Sequence, residues 1–222
     1  MFKGCGRILP KGILTILAIA LFTVGGCDID FGTGGDDNGG GGGGNQIETI
    51  QGSVTDVIPE EPLEGILVDV SVDGLNLENG VTDDTGFFSI EGPIAGTALL
   101  EFTGESGMLL GSYSVEIFPS ATVELGDILL ENGVVQLQNT NPEVTFNAEV
   151  IQNNCTGNSG SMQVEARNDQ DNLTVVVQVS PSTDLIIDGD DVNCEDMTVG
   201  RNVEVQGELV SSSTIDASRI EI

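Results

Sequence analysis

The sequence predicts an all-β protein, and three observations predict it. Apolar and polar residues alternate with a period of two, as in Ile66, Val68, Val70 and Val72 against Leu67, Asp69, Ser71 and Asp73. Clusters of turn-forming residues recur at roughly the 8–12-residue spacing of short strands. No stretch carries the 3.6-residue apolar period of an amphipathic helix. Hydrophobic residues make up 39% of the chain, rich enough in Val, Ile and Leu to build cores. A folded part of roughly 175 residues suggests one large or two small domains.

The elements follow in chain order. Lys3, Arg7 and Lys11 make a basic start, an apolar run covers 12–24, and Val24-Gly25-Gly26-Cys27 leads abruptly into acidic, Gly-rich sequence. That order predicts a cleaved secretory signal over 1–26. A membrane span needs about 20 apolar residues to cross ~30 Å of hydrocarbon, and the thirteen of 12–24 are too few. The end of the segment resembles the lipobox of bacterial lipoproteins. The resemblance implies that Cys27 is acylated and becomes the first residue of the mature protein. The chain would then sit in the bacterial cell envelope, lipid-anchored to a membrane and either periplasmic or surface-exposed. Asp28 resembles the inner-membrane retention signal of enterobacterial lipoproteins. The alternative is plain cleavage with Cys27 a free thiol, which would be a liability in an oxidising compartment. Residues 27–46 form a lipidated, acidic, Gly-rich tether. As a flexible coil, its last fifteen residues would span about 20–23 Å. The glycines of 39–44 lack the lysine and the strand–helix context of a phosphate-cradling loop.

All thirty-six Asp and Glu lie after residue 26, whereas three of the six cations lie before it. The mature chain keeps Arg167, Arg201 and Arg219, a formal −33, and has no lysine or histidine. Such charge favours solubility and repels anions. It excludes nucleic acid as a partner, because affinity for phosphate backbones rests on Lys and Arg.

Residues 47–138 read as a β-sandwich. The first strand forms around Gly52 with Ile50 and Val54. Then come the 66–72 alternation, Phe88/Ile90, Ala98/Leu100/Phe102, Tyr113/Val115/Ile117 and Val123/Leu125. Asp73-Gly74, Glu78-Asn79-Gly80, Asp84-Thr85-Gly86, Glu91-Gly92-Pro93 and Glu105-Ser106-Gly107 are the turn signals. Gly52-Ser53-Val54, Pro62-Leu63-Glu64-Gly65-Ile66-Leu67-Val68 and Thr82-Asp83-Asp84-Thr85-Gly86-Phe87-Phe88 together resemble the carboxypeptidase regulatory-like domain. That resemblance implies a seven-stranded, transthyretin-like sandwich serving as a non-catalytic accessory module. Gly86 would permit positive φ, and Asp83 would accept backbone N–H groups of its turn.

After Asn139-Thr140-Asn141-Pro142, a linker, residues 142–222 repeat the β pattern. Val144/Phe146/Ala148/Val150, Met162/Val164/Ala166, Val175/Val177/Val179, Leu185-Ile186-Ile187, Val203/Val205 and Ile215/Ala217 are its strands. Met197-Thr198-Val199-Gly200-Arg201-Asn202-Val203-Glu204-Val205-Gln206-Gly207 and Ile215-Asp216-Ala217-Ser218-Arg219-Ile220 resemble the DUF5666 domain of bacterial envelope proteins. This implies a five- or six-stranded, OB-like barrel of unknown function.

With Cys5 lost in the signal and Cys27 lipidated, Cys155 and Cys194 remain as an even pair in an exported chain, and a disulfide is expected. A zinc site needs more ligands than two cysteines without histidine. Asp188, Asp190, Asp191, Glu195 and Asp196 are hard oxygen donors close to that pair and the candidate calcium ligands. Their spacing is not that of an EF-hand, and Asp and Gly also suit an ordinary polar loop. Without histidine no nucleophile–histidine–acid triad can form. Without tryptophan, and with Tyr113 the sole tyrosine, the usual aromatic grip on sugars is missing. No catalytic residue is assigned. The expected function is a non-catalytic envelope lipoprotein presenting two β modules for structural or binding roles, with an envelope protein or glycan as partner. A calcium-dependent carbohydrate- or surface-binding adhesin is the alternative.

Overall fold

A computed structural model of the chain describes residues 47–57, 61–131, 134–138, 141–167 and 172–222. The signal segment, Cys27 and the tether lie outside the described residues. The described chain is all-β, a sandwich followed by a small barrel. None of its helices is long and apolar enough to cross a membrane.

The sandwich is built from β1 (Glu48–Asp56), β2 (Leu67–Val72), β3 (Leu75–Val81), β4 (Phe87–Gly92), β5 (Gly96–Thr103), β6 (Leu109–Ile117), β7 (Thr122–Glu131) and β8 (Val134–Leu137). One layer runs β4-β1-β7, with β8 beside the far half of β7; the other runs β3-β2-β5-β6. β1 and β7 are parallel and every other pair in the sandwich is antiparallel. Strand periodicity does what the sequence requires of it. Val68 and Val70 of β2, Ala98, Leu100 and Phe102 of β5, and Phe88 and Ile90 of β4 are all buried, while their chain neighbours face outward. Phe88 and Phe102 meet edge to face across the layers, with centroids 6.2 Å apart. Tyr113 is half-buried against this core, and burial raises its phenol pKa.

One expected turn is instead strand. Asn-Gly is the strongest short hairpin signal, and Asn79-Gly80 invited that reading. The turn before it, Asp73-Gly74, does the work: both residues have positive φ, 52° and 77°, between the paired Val72 and Leu75. Gly80 lies inside β3 because a Cβ there would sit 2.8 Å from Ile90 Cγ1. Glycine here marks a close approach of two layers rather than a bend.

The turn before β4 is as the sequence predicts. Gly86 has φ +76°, and a Cβ on it would lie 2.4 Å from the Val54 carbonyl oxygen, so no side chain fits. The Asp83 carboxylate accepts from Thr85 N at 2.8 Å, Thr85 Oγ1 at 2.7 Å and Phe87 N at 3.0 Å. The Thr85 side-chain bond, then the backbone bonds, hold its pKa below the ordinary 3.8. A carboxylate with a depressed pKa stabilises the fold above its unfolded-state value, and the benefit is lost as pH falls through the folded value. Asp83→Asn is therefore expected to lose stability near neutral pH, and the gap to the parent should begin to narrow as pH falls past about 3.8. Denaturation curves at pH 7 and pH 3 measure both. A gap of equal size at both pH values would mean the charge contributes nothing. Buried Thr82 completes the corner: its hydroxyl accepts from Ile66 N at 2.9 Å and donates to the Leu63 carbonyl.

The barrel follows. β9 (Glu143–Asn153), β10 (Gly160–Arg167), β11 (Asn172–Val179), β14 (Asn202–Ser211) and β15 (Thr214–Glu221) pair in a closed ring, β9-β10-β11-β15-β14-β9. The β11–β15 pair is parallel and the other four are antiparallel. This is the five-stranded, OB-like order. Closure leaves the ring without a free edge. Phe146, Val150, Met162, Val164, Val175, Val177, Val205 and Ile215 fill it. Between β11 and β14 the chain adds β12 (Asp184–Ile187), β13 (Asp190–Asp191) and a 3-10 turn, Cys194–Asp196. β12 runs parallel to the end of β15.

The two halves share one sheet. Val123 lies opposite Val144, with Thr122 opposite Thr145 and Glu124 opposite Glu143, so β7 of the sandwich hydrogen-bonds with β9 of the barrel. Phe118 and Phe146, both fully buried, meet edge to face at 5.2 Å, and the two cores are continuous. Ser120, with φ +63°, donates its N–H to buried Glu48 at 3.0 Å and its hydroxyl to the Arg167 carbonyl at 3.1 Å. A non-glycine residue at that φ persists only where its surroundings fix it, and here both halves hold it.

Candidate functional site

Three places on the described surface have the geometry to matter. The first is the disulfide-tied end of the barrel. Cys155 and Cys194 are bonded across a sequence separation of 39, with Cα atoms 5.6 Å apart. Asn153 organises the surroundings. Its side-chain amide donates to the carbonyls of Cys194 at 2.9 Å and Met197 at 2.6 Å, and its oxygen accepts from Cys155 N at 2.8 Å. Cys194 and Met197 are buried beneath it.

The candidate calcium ligands are close in sequence, and two of them, Glu195 and Asp196, already accept backbone hydrogen bonds. Asp188 takes positive φ, 53°, in the tight turn with Gly189. Asp190 and Asp191 form β13 and pair with Ile187 and Ile186. Glu195 accepts from Gly157 N at 3.2 Å. Asp196 accepts from Asn193 N at 3.1 Å, capping the 3-10 turn. Among the described residues, no group of three or more His, Cys, Asp or Glu is placed to hold a metal ion. Calcium takes six to eight oxygens at about 2.3–2.6 Å. The melting temperature in millimolar calcium against chelator tests these residues as ligands, and no change would remove that reading. A clear rise in calcium would require these loops to rearrange around the ion.

The second place is a polar cleft of about 400 Å³ at the junction. Glu124, Glu143 and Glu208 line it from β7, β9 and β14, each directly opposite the next. Like charges so placed are destabilising. Two amides temper the repulsion: Gln51 Nε2 donates to Glu124 at 2.6 Å and Gln206 Nε2 to Glu143 at 2.7 Å. No sequence pattern could have flagged this row, because it exists only through the register of three strands far apart in the chain.

The third place is the edge of the four-stranded layer. Among the described residues β3 has β2 as its sole strand partner. Leu75, Leu77 and Val81 are 66%, 37% and 57% exposed. Acids bracket the strand: Asp73 precedes it, Glu78 lies in it, and exposed Asp83 and Asp84 follow it. Reading Asn79-Gly80 as a turn hid this edge. The hidden signal was the apolar–polar alternation Leu75, Asn76, Leu77 beginning directly after Asp73-Gly74.

The cations are elsewhere. Arg167 pairs with Glu149 at 2.9 Å and with Glu165, and Arg219 pairs with Glu221 at 2.6 Å. Both lie in the barrel and are about half exposed, where such pairs are worth little.

No protein-family model and no curated protein matches the chain. The likenesses to solved structures include two weak ones. A 9R-lipoxygenase from Cyanothece PCC8801 is 19% identical over 38% of this chain, at a TM-score of 0.26. The chain spans 16% of that enzyme's length. A Bacteroides uniformis protein provisionally named for carbohydrate binding is 16% identical, with 80% of this chain and 98% of that one covered, also at a TM-score of 0.26. At that level neither likeness bears on what this chain does.

Proposed function

We propose that this chain is a non-catalytic lipoprotein of the bacterial cell envelope, held to a membrane by acyl chains on Cys27 and presenting its fused sandwich and barrel for binding. The observation that carries this reading is the order of the first twenty-seven residues: a basic start, a short apolar run, two glycines and a cysteine. Two or more acyl chains are what stable anchoring takes, since one gives marginal, reversible binding. The resemblances to the carboxypeptidase regulatory-like and DUF5666 domains support an accessory role for the folded body. The formal −33 of the mature chain supports a partner that is not nucleic acid and not an anionic lipid surface.

Membrane fractionation tests the reading. Cys27→Ser is expected to move the protein from the membrane pellet to the soluble fraction with its fold intact. A variant that stays with the membrane means that acylation at this sulfur is not the anchor.

A further inference from the structure

Among the residues left over by that reading are the exposed apolar side chains of β3. An edge strand offers a row of unpaired N–H and C=O groups, and proteins usually blunt such an edge with lysine, proline or a very short strand. β3 has seven residues and neither lysine nor proline. A single register shift, between Val70 and Ser71, interrupts its pairing with β2. Of its exposed side chains Leu75, Leu77 and Val81 are apolar, and Asn76 and Asn79 are polar but uncharged. Val81 continues as a row with its opposite residues Leu67, Thr103 and Leu109, and Leu109 is 55% exposed.

Charge decides what fits. Residues 47–138 contain seventeen Asp and Glu and no Lys, Arg or His. A second copy of this chain, pairing β3 with β3, would bring two such bodies together and set Asp73, Asp83 and Asp84 of one against those of the other. A cationic chain would meet attraction along the same path, through an electrostatic complementarity that also speeds encounter. Backbone groups at strand spacing select an extended polypeptide, and alternate side chains give it specificity.

We propose that the outer edge of β3, which has no strand partner beyond β2 among the described residues, takes up an extended, cationic polypeptide segment as a fifth strand of the layer β3-β2-β5-β6. The inference rests on the reading of this chain as a binding module. It is separable from the anchor, which fractionation tests without reference to β3.

The experiment uses the full mature chain with Cys27→Ser, isotope-labelled. The probe is a seven-residue peptide alternating lysine and valine. Its control is a twin of the same composition with alternating chirality, which keeps the charge but cannot lie as a regular strand. The expected result is saturable binding that shifts amide resonances of β3 and its neighbour β2. Affinity should be at least tenfold above that for the twin and should fall as salt is raised. Leu75→Lys with Val81→Lys, both at well-exposed positions, should lower it at least tenfold without changing the spectrum elsewhere. Equal binding of the twin would reduce the effect to charge adsorption and overturn the proposal. So would shifts centred on β4 or β6, an unaffected lysine variant, no binding, or self-association through β3 in the absence of peptide.

Discussion

Phe146→Ala is expected to cost about 3–5 kcal/mol of folding stability, the range for emptying a buried phenylalanine site. The side chain is fully buried on β9, next to the strand pairs that join β9 to β7. It is also half of the edge-to-face contact with Phe118. Such aromatic pairs contribute roughly 0.5–1.5 kcal/mol beyond their area, so a double-mutant cycle with Phe118→Ala should show coupling of that size. The position makes the effect informative beyond its magnitude. Phe118 belongs to the segment between β6 and β7, so the pair bridges sandwich and barrel. Calorimetry of the parent is expected to show one transition, because the halves share a sheet and a core. In Phe146→Ala the barrel should melt first and a second transition should separate from it. A loss below about 1 kcal/mol would place the ring outside the joint core, contrary to the geometry.

Removing the disulfide is expected to cost about as much. Cross-linking a loop of roughly 40 residues restricts the unfolded chain by about 4 kcal/mol in the chain-entropy model. Cys155 and Cys194 close such a loop, and Cys194 is fully buried. The double substitution to alanine should lower the melting temperature by about 8–16 °C, at roughly 2–4 °C per kcal/mol for a chain of this size. Part of the constraint survives through Asn153, whose amide donates two hydrogen bonds across the same two segments without the bond. The figure is therefore an upper one. The secondary structure should persist, since the barrel ring closes without either cysteine. An unchanged denaturation midpoint would mean that the bond adds nothing to what Asn153 already fixes.

The parts of this architecture that the sequence carries are those set by strand period and local turn chemistry. Val68/Val70, Ala98/Leu100/Phe102, Val144/Phe146 and Val175/Val177 are buried as their alternation requires. Gly86 and Asp83 make the corner that their residue types suit. The Cys155–Cys194 bond followed from counting. The fused sheet is legible in none of these. The β7–β9 pairing depends on the register of strands on either side of a linker, and nothing local in Asn139-Thr140-Asn141-Pro142 announces that the chain turns back into the same sheet. Tertiary contact also overrode local signal at Asn79-Gly80, where Ile90 demands glycine and the turn lies six residues earlier. The row Glu124, Glu143 and Glu208 was hidden for the same reason. Side chains that share a face across strands cannot be paired until the register is known.

What a folded body does in a cell depends on where it is held, and in the function proposed above that depends on residue 27. Mass spectrometry of the protein recovered from its native membrane is the most direct measurement. The mature N-terminus is expected to begin at Cys27 and to carry lipid mass on it. An unmodified cysteine there, or a first residue elsewhere in the chain, would contradict it.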